Sequence, residues 1–212
     1  MARWNQPKDM KPLWASSRNK KLTPEFFNMT RGEGLDLLKK NLQNPNLIKH
    51  SLAVEIIMRA LARKFGEGEE KWGLAGLLHD IDYEKTKDDP SQHSLVGARL
   101  LEDLGIDKDI CQAVKVHNEA HGILPQTLIE KALYVVDPLT GLIVAATLVL
   151  PSKKIADLGV ESVMNRFKEK AFARGANRQI IKKCEEYLNL SLGDFLKIGL
   201  KSMQQISEDL GL

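Results

Sequence analysis

Four histidines and two aspartates stand where helical periodicity turns them toward apolar neighbours. In the run that opens at Pro45, His50 shares a stripe with Ala53, Ile57 and Leu61, while Glu55, Arg59 and Arg63 fall on the other side. His93 shares a stripe with Val96, Leu100 and Leu104, and His117 with Ile110, Ala113 and Val114. Asp137 continues the row Ile129, Leu133, and the pair His79-Asp80 closes the apolar run Leu74-Ala75-Gly76-Leu77-Leu78. A single inward histidine is ordinarily satisfied by one neighbouring hydrogen bond. Six inward titratable groups on five helices are hard to satisfy in pairs, and each one left unpaired costs several kcal/mol. One or two shared cations would satisfy them together. Imidazole nitrogens and carboxylate oxygens without cysteine suit Fe, Mn, Co, Ni or Zn. Adjacent residues at a helix end diverge, so Asp80 can reach a second ion while the His79 ring binds the first.

The elements that must position these groups are helices. Thr30 and Glu33 form a capping box, Pro45, Pro90, Pro125 and Pro138 each stand at the start of an apolar periodic run, and Gly105 sits where a helix stops. Helices are predicted over 31–42, 45–65, 69–80, 90–104, 108–119, 125–136, 138–150, 159–173, 177–188 and 191–208. Period-two alternation is nearly absent, so the fold class is all-α, a single irregular multi-helix bundle. Three parts are expected: a basic arm over 1–30 anchored by Trp4 and Trp14, a helical core over 31–150 carrying the metal ligands, and C-terminal helices over 151–212 packed on the same domain.

Composition bounds the function. The 212 residues are 43% apolar, 28% charged and 6% aromatic, with a net charge of +3. That balance is of an ordinary globular chain and gives no reason to expect nucleic acid as the main partner. Two cysteines, Cys111 and Cys184, exclude a disulfide scaffold or a cysteine zinc cluster, and Cys111 reads as a buried small apolar residue. The segment Met1–Lys21 is basic but has no apolar stretch after it, unlike a signal peptide. The longest apolar run, Leu139–Leu150, falls short of the ~20 residues of a membrane span and reads as a buried core helix. A cytoplasmic protein with no membrane partner is the expectation, and a homo-oligomer stays open.

These residues resemble the HD superfamily of metal-dependent phosphohydrolases, whose minimal pattern is a His, a His-Asp pair and a later Asp on a helical bundle. Here the pattern reads His50, then Leu77-Leu78-His79-Asp80-Ile81-Asp82, then Asp137, covering about residues 45 to 145. The stretch Gln92 to Leu101 resembles the second-metal helix of binuclear members, and Val114 to Glu119 their next ligand helix. The resemblance implies one ion on His50, His79, Asp80 and Asp137, and a second that shares Asp80 and takes His93 and His117. Some trinuclear relatives have a second His where this chain has Asn118. The Gly-Tyr-Pro motif of cyclic-di-GMP-cleaving relatives is replaced by Ile123-Leu124-Pro125, so that activity is not implied. Asp137–Leu148 and Arg166–Gly175 are also similar to a subgroup of small predicted HD hydrolases, a match that carries no substrate.

The activity so implied is hydrolysis of a phosphate ester, in a nucleotide-like or other small phosphorylated metabolite. Two divalent cations, Fe or Mn before Co, Ni or Zn, would lower the pKa of a bridging water and offset charge on the phosphoryl oxygens. Asp80 is the bridging catalytic carboxylate, and His121, four residues after His117, is a candidate proton donor to the leaving group. Lys85, just after the His-Asp pair, and Arg174, spaced by four from Lys170 and Arg178, are candidate substrate-binding groups. Asp82 reads as a local cap or an acceptor behind the ligands. An HD-type diiron oxygenase and a non-catalytic metal-binding module are the competing functions. No glycine-rich phosphate loop is present: Gly32-Glu33-Gly34 and Gly66-Glu67-Gly68 read as turn or helix-end residues, and no serine has a Gly-x-Ser-x-Gly context.

Overall fold

The computed structural model describes residues 29–212, so the arm expected at 1–30, with Trp4 and Trp14, lies outside the described residues except for Met29 and Thr30. Among the described residues the chain is helical throughout and has no strand. The capping box starts α1 (Arg31–Asn41): Glu33 N–H donates to Thr30 Oγ1, and Thr30 N–H donates back to the Glu33 carboxylate. In α2 (Pro45–Phe65) Asn44 caps the Asn46 N–H, Pro45 fills the first turn, and Gly66 ends the helix at φ +72°.

Helix α3 (Glu69–Leu78) is the centre of the bundle. Every residue from Trp72 to Asp82 is buried, as expected of a helix with no polar face in its second half. Its small residues set how closely α2 can approach. A Cβ on Gly76 would lie 3.0 Å from the Glu55 backbone, and one on Gly73 would strike the Arg59 guanidinium at 2.6 Å. This packing corrects the reading of α2. Glu55 and Arg59 do not face solvent but are 2% and 8% exposed, because α3 covers the flank opposite the histidine stripe. They survive burial as a pair. Arg59 Nε donates to Glu55 Oε1 at 2.8 Å, Arg31 Nε donates to the same carboxylate at 2.7 Å, and Glu70 takes the far end of Arg59 at 2.8 and 3.0 Å.

The largest departure is at Pro138. Instead of two helices over 125–136 and 138–150, one helix, α7 (Leu128–Leu148), runs straight through it. Thr127, hydrogen-bonded to Glu130, caps the start, so Pro125 precedes the helix rather than opening it. The proline removes one ladder donor, and burial of residues on both sides, from Ile129 to Thr147, offsets that loss. This helix is long and apolar enough to cross a membrane, yet 61% of its apolar window is buried inside the bundle, as a core helix would be.

The helix expected at 90–104 is α5 (Leu95–Asp103), preceded by turns over residues 90–94 rather than by a proline start. It buries Gly97, Ala98 and Leu101, while Val96 and Leu104 are exposed, so the stripe assigned to His93 is not the inner face. Helix α6 (Lys108–Val116) follows Gly105, which sits at φ +74°. Between α3 and α5 lies the short α4 (Tyr83–Thr86). The expected helix 159–173 is only α8 (Val160–Lys168); 177–188 divides into α9 (Arg178–Lys182) and α10 (Cys184–Tyr187), and 191–208 into α11 (Leu192–Gln205) and α12 (Ser207–Leu210). Helix α11 packs on α2 and α7, and a Cβ on its Gly199 would approach Leu139 to 2.7 Å.

The buried pair generates a stability prediction. Glu55→Ala leaves Arg59 charged and inside, and should lower unfolding free energy by about 3–5 kcal/mol. Glu70→Ala removes a mostly exposed partner and should cost under about 1 kcal/mol. Paired denaturant melts measure both.

Candidate metal centre

Five segments aim six side chains at one point. His50 comes from the second turn of α2, His79 and Asp80 from the end of α3, His93 from the turn before α5, His117 from the C-cap of α6, and Asp137 from the middle of α7. His79, Asp80 and His117 form a buried floor; His50, His93 and Asp137 form a half-exposed rim. The floor fixes the site, and the rim leaves it open to a ligand from one side.

Asp80 divides the cluster. Its Oδ2 lies 3.5 Å from His50 Nε2 and 3.4 Å from His79 Nε2. Its Oδ1 lies 3.2 Å from His93 Nε2 and 3.4 Å from His117 Nε2. Asp137 Oδ1 joins the first group, 3.1 Å from His50 Nε2 and 3.8 Å from His79 Nε2. Two donor sets thus share one carboxylate: His50, His79 and Asp137 on one side, His93 and His117 on the other.

All four rings turn Nε2 inward, and in each the other nitrogen is taken. His79 Nδ1 meets the Gly76 carbonyl at 2.8 Å, and His117 Nδ1 meets the Val114 carbonyl at 2.6 Å. His93 Nδ1 meets Asp82 Oδ1 at 2.9 Å. His50 Nδ1 meets Thr140 Oγ1 at 2.9 Å, and that hydroxyl donates its own hydrogen to the Asp137 carbonyl, so it accepts from the ring. Each Nδ1 therefore carries a proton, so a cation at the centre, taking the place of a second proton, would find every Nε2 aimed at it.

This donor set fits a pair of cations. His50 Nε2 and His79 Nε2 stand 3.1 Å apart, a separation at which two lone pairs repel unless a positive charge lies between them. Ligand atoms ~2.1 Å from one ion and at right angles are ~3 Å apart. The charges agree. Burial opposes protonation of His79, yet Asp80 and Asp137 hold its pKa well above the usual histidine range. Burial likewise opposes a charged His93, yet Asp80 and Asp82 raise it to about 9. Burial would raise the two carboxylates, but the rings around them keep Asp80 and Asp137 well below the ordinary range. The pocket demands positive charge at its centre.

Other expected site residues lie elsewhere. Lys85 is exposed on α4 and donates to Asn41 Oδ1 at 2.6 Å. Lys170, Arg174 and Arg178 do not share a helix face, because α8 ends at Lys168. Arg178 instead closes the following loop on the carbonyls of Phe172, Ala173 and Ala176. Arg174 is exposed on that loop, next to Gly175, which lines a cavity of about 180 Å³ beside His93, His117 and Asp137. His121 is not on the α6 face. It sits in a 3-10 turn, Glu119–His121, with Nε2 donating to the His93 carbonyl at 2.6 Å. Asp82 is the acceptor behind His93, and its other oxygen takes the Gly97 N–H at 2.7 Å. Thr140, absent from the sequence reading, was signalled by its place three residues after Asp137 on one helix face.

Comparison with known proteins agrees with the geometry. The HD domain family matches residues 47–142, a span that holds all six convergent residues. Ribonuclease Y of Oleidesulfovibrio alaskensis is 31% identical over 140 residues, covering 64% of this chain and 26% of that protein. Ribonuclease Y of Lawsonia intracellularis is 28% identical over 138 residues with the same shares. An uncharacterized protein of Methanocaldococcus jannaschii is 33% identical over 99 residues, covering 44% of this chain and 57% of that protein. The chain thus spans about a quarter of the length of these ribonuclease relatives. No solved structure gives a significant match. Residues 47–142 of this chain thus form an HD domain, with the six convergent side chains inside it.

Proposed function

We propose that this protein hydrolyses phosphate esters at a two-cation centre. The observation that carries the reading is the straddling carboxylate of Asp80, with one oxygen on the His50–His79 side and the other on the His93–His117 side. Two divalent ions held there, Fe or Mn before Co, Ni or Zn, would supply Lewis acidity to a phosphoryl oxygen and lower the pKa of a bound water.

The chain's own part is orientation. Locked Nδ1 bonds keep four lone pairs aimed at the centre before substrate arrives, so little reorganisation accompanies reaction. The rim of His50, His93 and Asp137 leaves an approach for the phosphoryl group through the 180 Å³ cavity. Beyond His50 a second cavity of about 450 Å³ runs between α2 and α7, with Lys49 and Asn46 at one end and Val144 and Leu148 along its wall. Its size and mixed lining suit the leaving group of a nucleotide-like or other small phosphorylated metabolite. Arg174, on the loop whose Gly175 lines that cavity, would offer a cation to the incoming anion. The ribonuclease names of the relatives favour including phosphodiesters, short RNA among them, in any substrate panel.

Four outcomes test the reading. Mn added at about a hundredfold over its Kd should raise the unfolding free energy by about 2.7 kcal/mol per site, and chelation should reverse the gain. The loaded enzyme should release phosphate or cleave a diester without oxygen; turnover that requires oxygen would instead identify an oxygenase. Asp80→Asn should lower kcat/KM by at least about a thousandfold, since one change weakens both donor sets. Arg174→Ala should raise KM several-fold with kcat nearly unchanged, measured by steady-state kinetics on the best substrate of the panel.

A further inference from the structure

The two halves of the donor cluster are built differently. His50, His79 and Asp137 project from or directly follow three long, mutually packed helices, α2, α3 and α7. His93 belongs to no helix. It stands in a turn whose next residue, Ser94, has φ +70°, a conformation that disfavours any side chain with a Cβ. Such a turn persists only where its surroundings hold it.

Those surroundings come from the segment that carries His117. His121 Nε2 lies 2.6 Å from the His93 carbonyl, and a carbonyl only accepts, so that nitrogen bears the hydrogen. Asn118 Nδ2 donates to the same carbonyl at 3.3 Å. Ser94 Oγ donates to the Lys115 carbonyl at 3.0 Å. Three side-chain bonds thus stitch residues 93–94 to residues 115–121. His121 is also absent from the lining of both cavities beside the cluster, where a proton donor to a leaving group would have to stand.

We propose that His121 is a positioning residue: with Asn118 and Ser94 it latches the His93 turn onto the His117 segment, and the second cation position depends on that latch while the first does not. The proposal rests on the two-cation reading above. The second ion is therefore the more readily lost, and its affinity is set from behind the ligands rather than by them.

The test is the binding isotherm of Mn²⁺ to the full chain, followed by free-Mn²⁺ paramagnetic resonance, with no substrate present. Wild type should take two ions. His121→Phe, which keeps a ring but loses the donor, should keep the tighter site within twofold and weaken the other at least tenfold. His121→Gln, which returns an N–H donor, should recover most of that loss. Ser94→Ala cuts a different stitch, and should lower the same site and spare the first. It serves as the second variant should His121→Phe fail to fold, as read by circular dichroism. Two unchanged sites in His121→Phe would overturn the latch, the more so if kcat loses one limb of its pH profile, because His121 would then be handling a proton. Equal weakening of both sites would overturn it as well. A wild-type chain that binds fewer than two ions would overturn the two-cation reading itself, a result distinguishable from the others because it appears before any substitution.

Discussion

His50 and His79 bring their Nε2 atoms within 3.1 Å of each other, each with its remaining nitrogen already committed as a donor, so a proton or a metal ion has to lie between them. Apolar packing alone would not stabilise that arrangement. Two carboxylates beside it deepen the demand for positive charge instead of relieving it within the pair. A protein that only needed a filled core would have leucine in these places, at lower cost. The geometry is therefore intelligible as a container, and the rest of the fold can be understood as what keeps the container from collapsing or splaying.

Helix α3 carries most of that duty. It delivers His79 and Asp80 from the middle of the bundle, and it can be in the middle only because Gly73 and Gly76 let α2 lie against it. The same closeness traps Glu55 and Arg59, which must then pair with each other inside. The ion pair is thus a consequence of the approach that brings His50 within reach of His79. It ties Arg31 of α1 and Glu70 of α3 to the flank of α2 opposite the site. Stability at that flank and geometry at the metal centre are two results of one packing decision.

What was legible in the sequence follows the same physics. His50, His117 and Asp137 lie on helices whose inner stripe is continuous, so periodicity alone turned them inward. His79-Asp80 was marked by the apolar run that precedes it. His93 was placed in the right cluster for the wrong reason. Val96 and Leu104 are exposed, and a positive-φ turn, invisible to a hydrophobic pattern, brings the ring in. Glu55 and Arg59 were misread because charge is a proxy for solvent only when no second helix covers that face. Pro138 misled in the opposite direction: a proline inside a helix costs about 3 kcal/mol, and burial of α7 along its length outweighs that. The arm expected over residues 1–30 falls outside the described residues except for Met29 and Thr30.

The asymmetry between the two donor sets has a chemical logic. An ion held by ligands on three packed helices would not easily leave, and it would give the folded core a fixed charge at its centre. The other set is closed by a turn, with His93 on the partly exposed rim beside the cavity. Backbone strain at Ser94 fits this division, since strained residues persist where function needs a side chain that regular structure would not deliver. Asp80 joins the two regimes: buried at the end of the rigid helix, it offers one oxygen to each. The bridging carboxylate has to come from the most constrained element in the bundle, because any freedom it had would be transmitted to both sites at once.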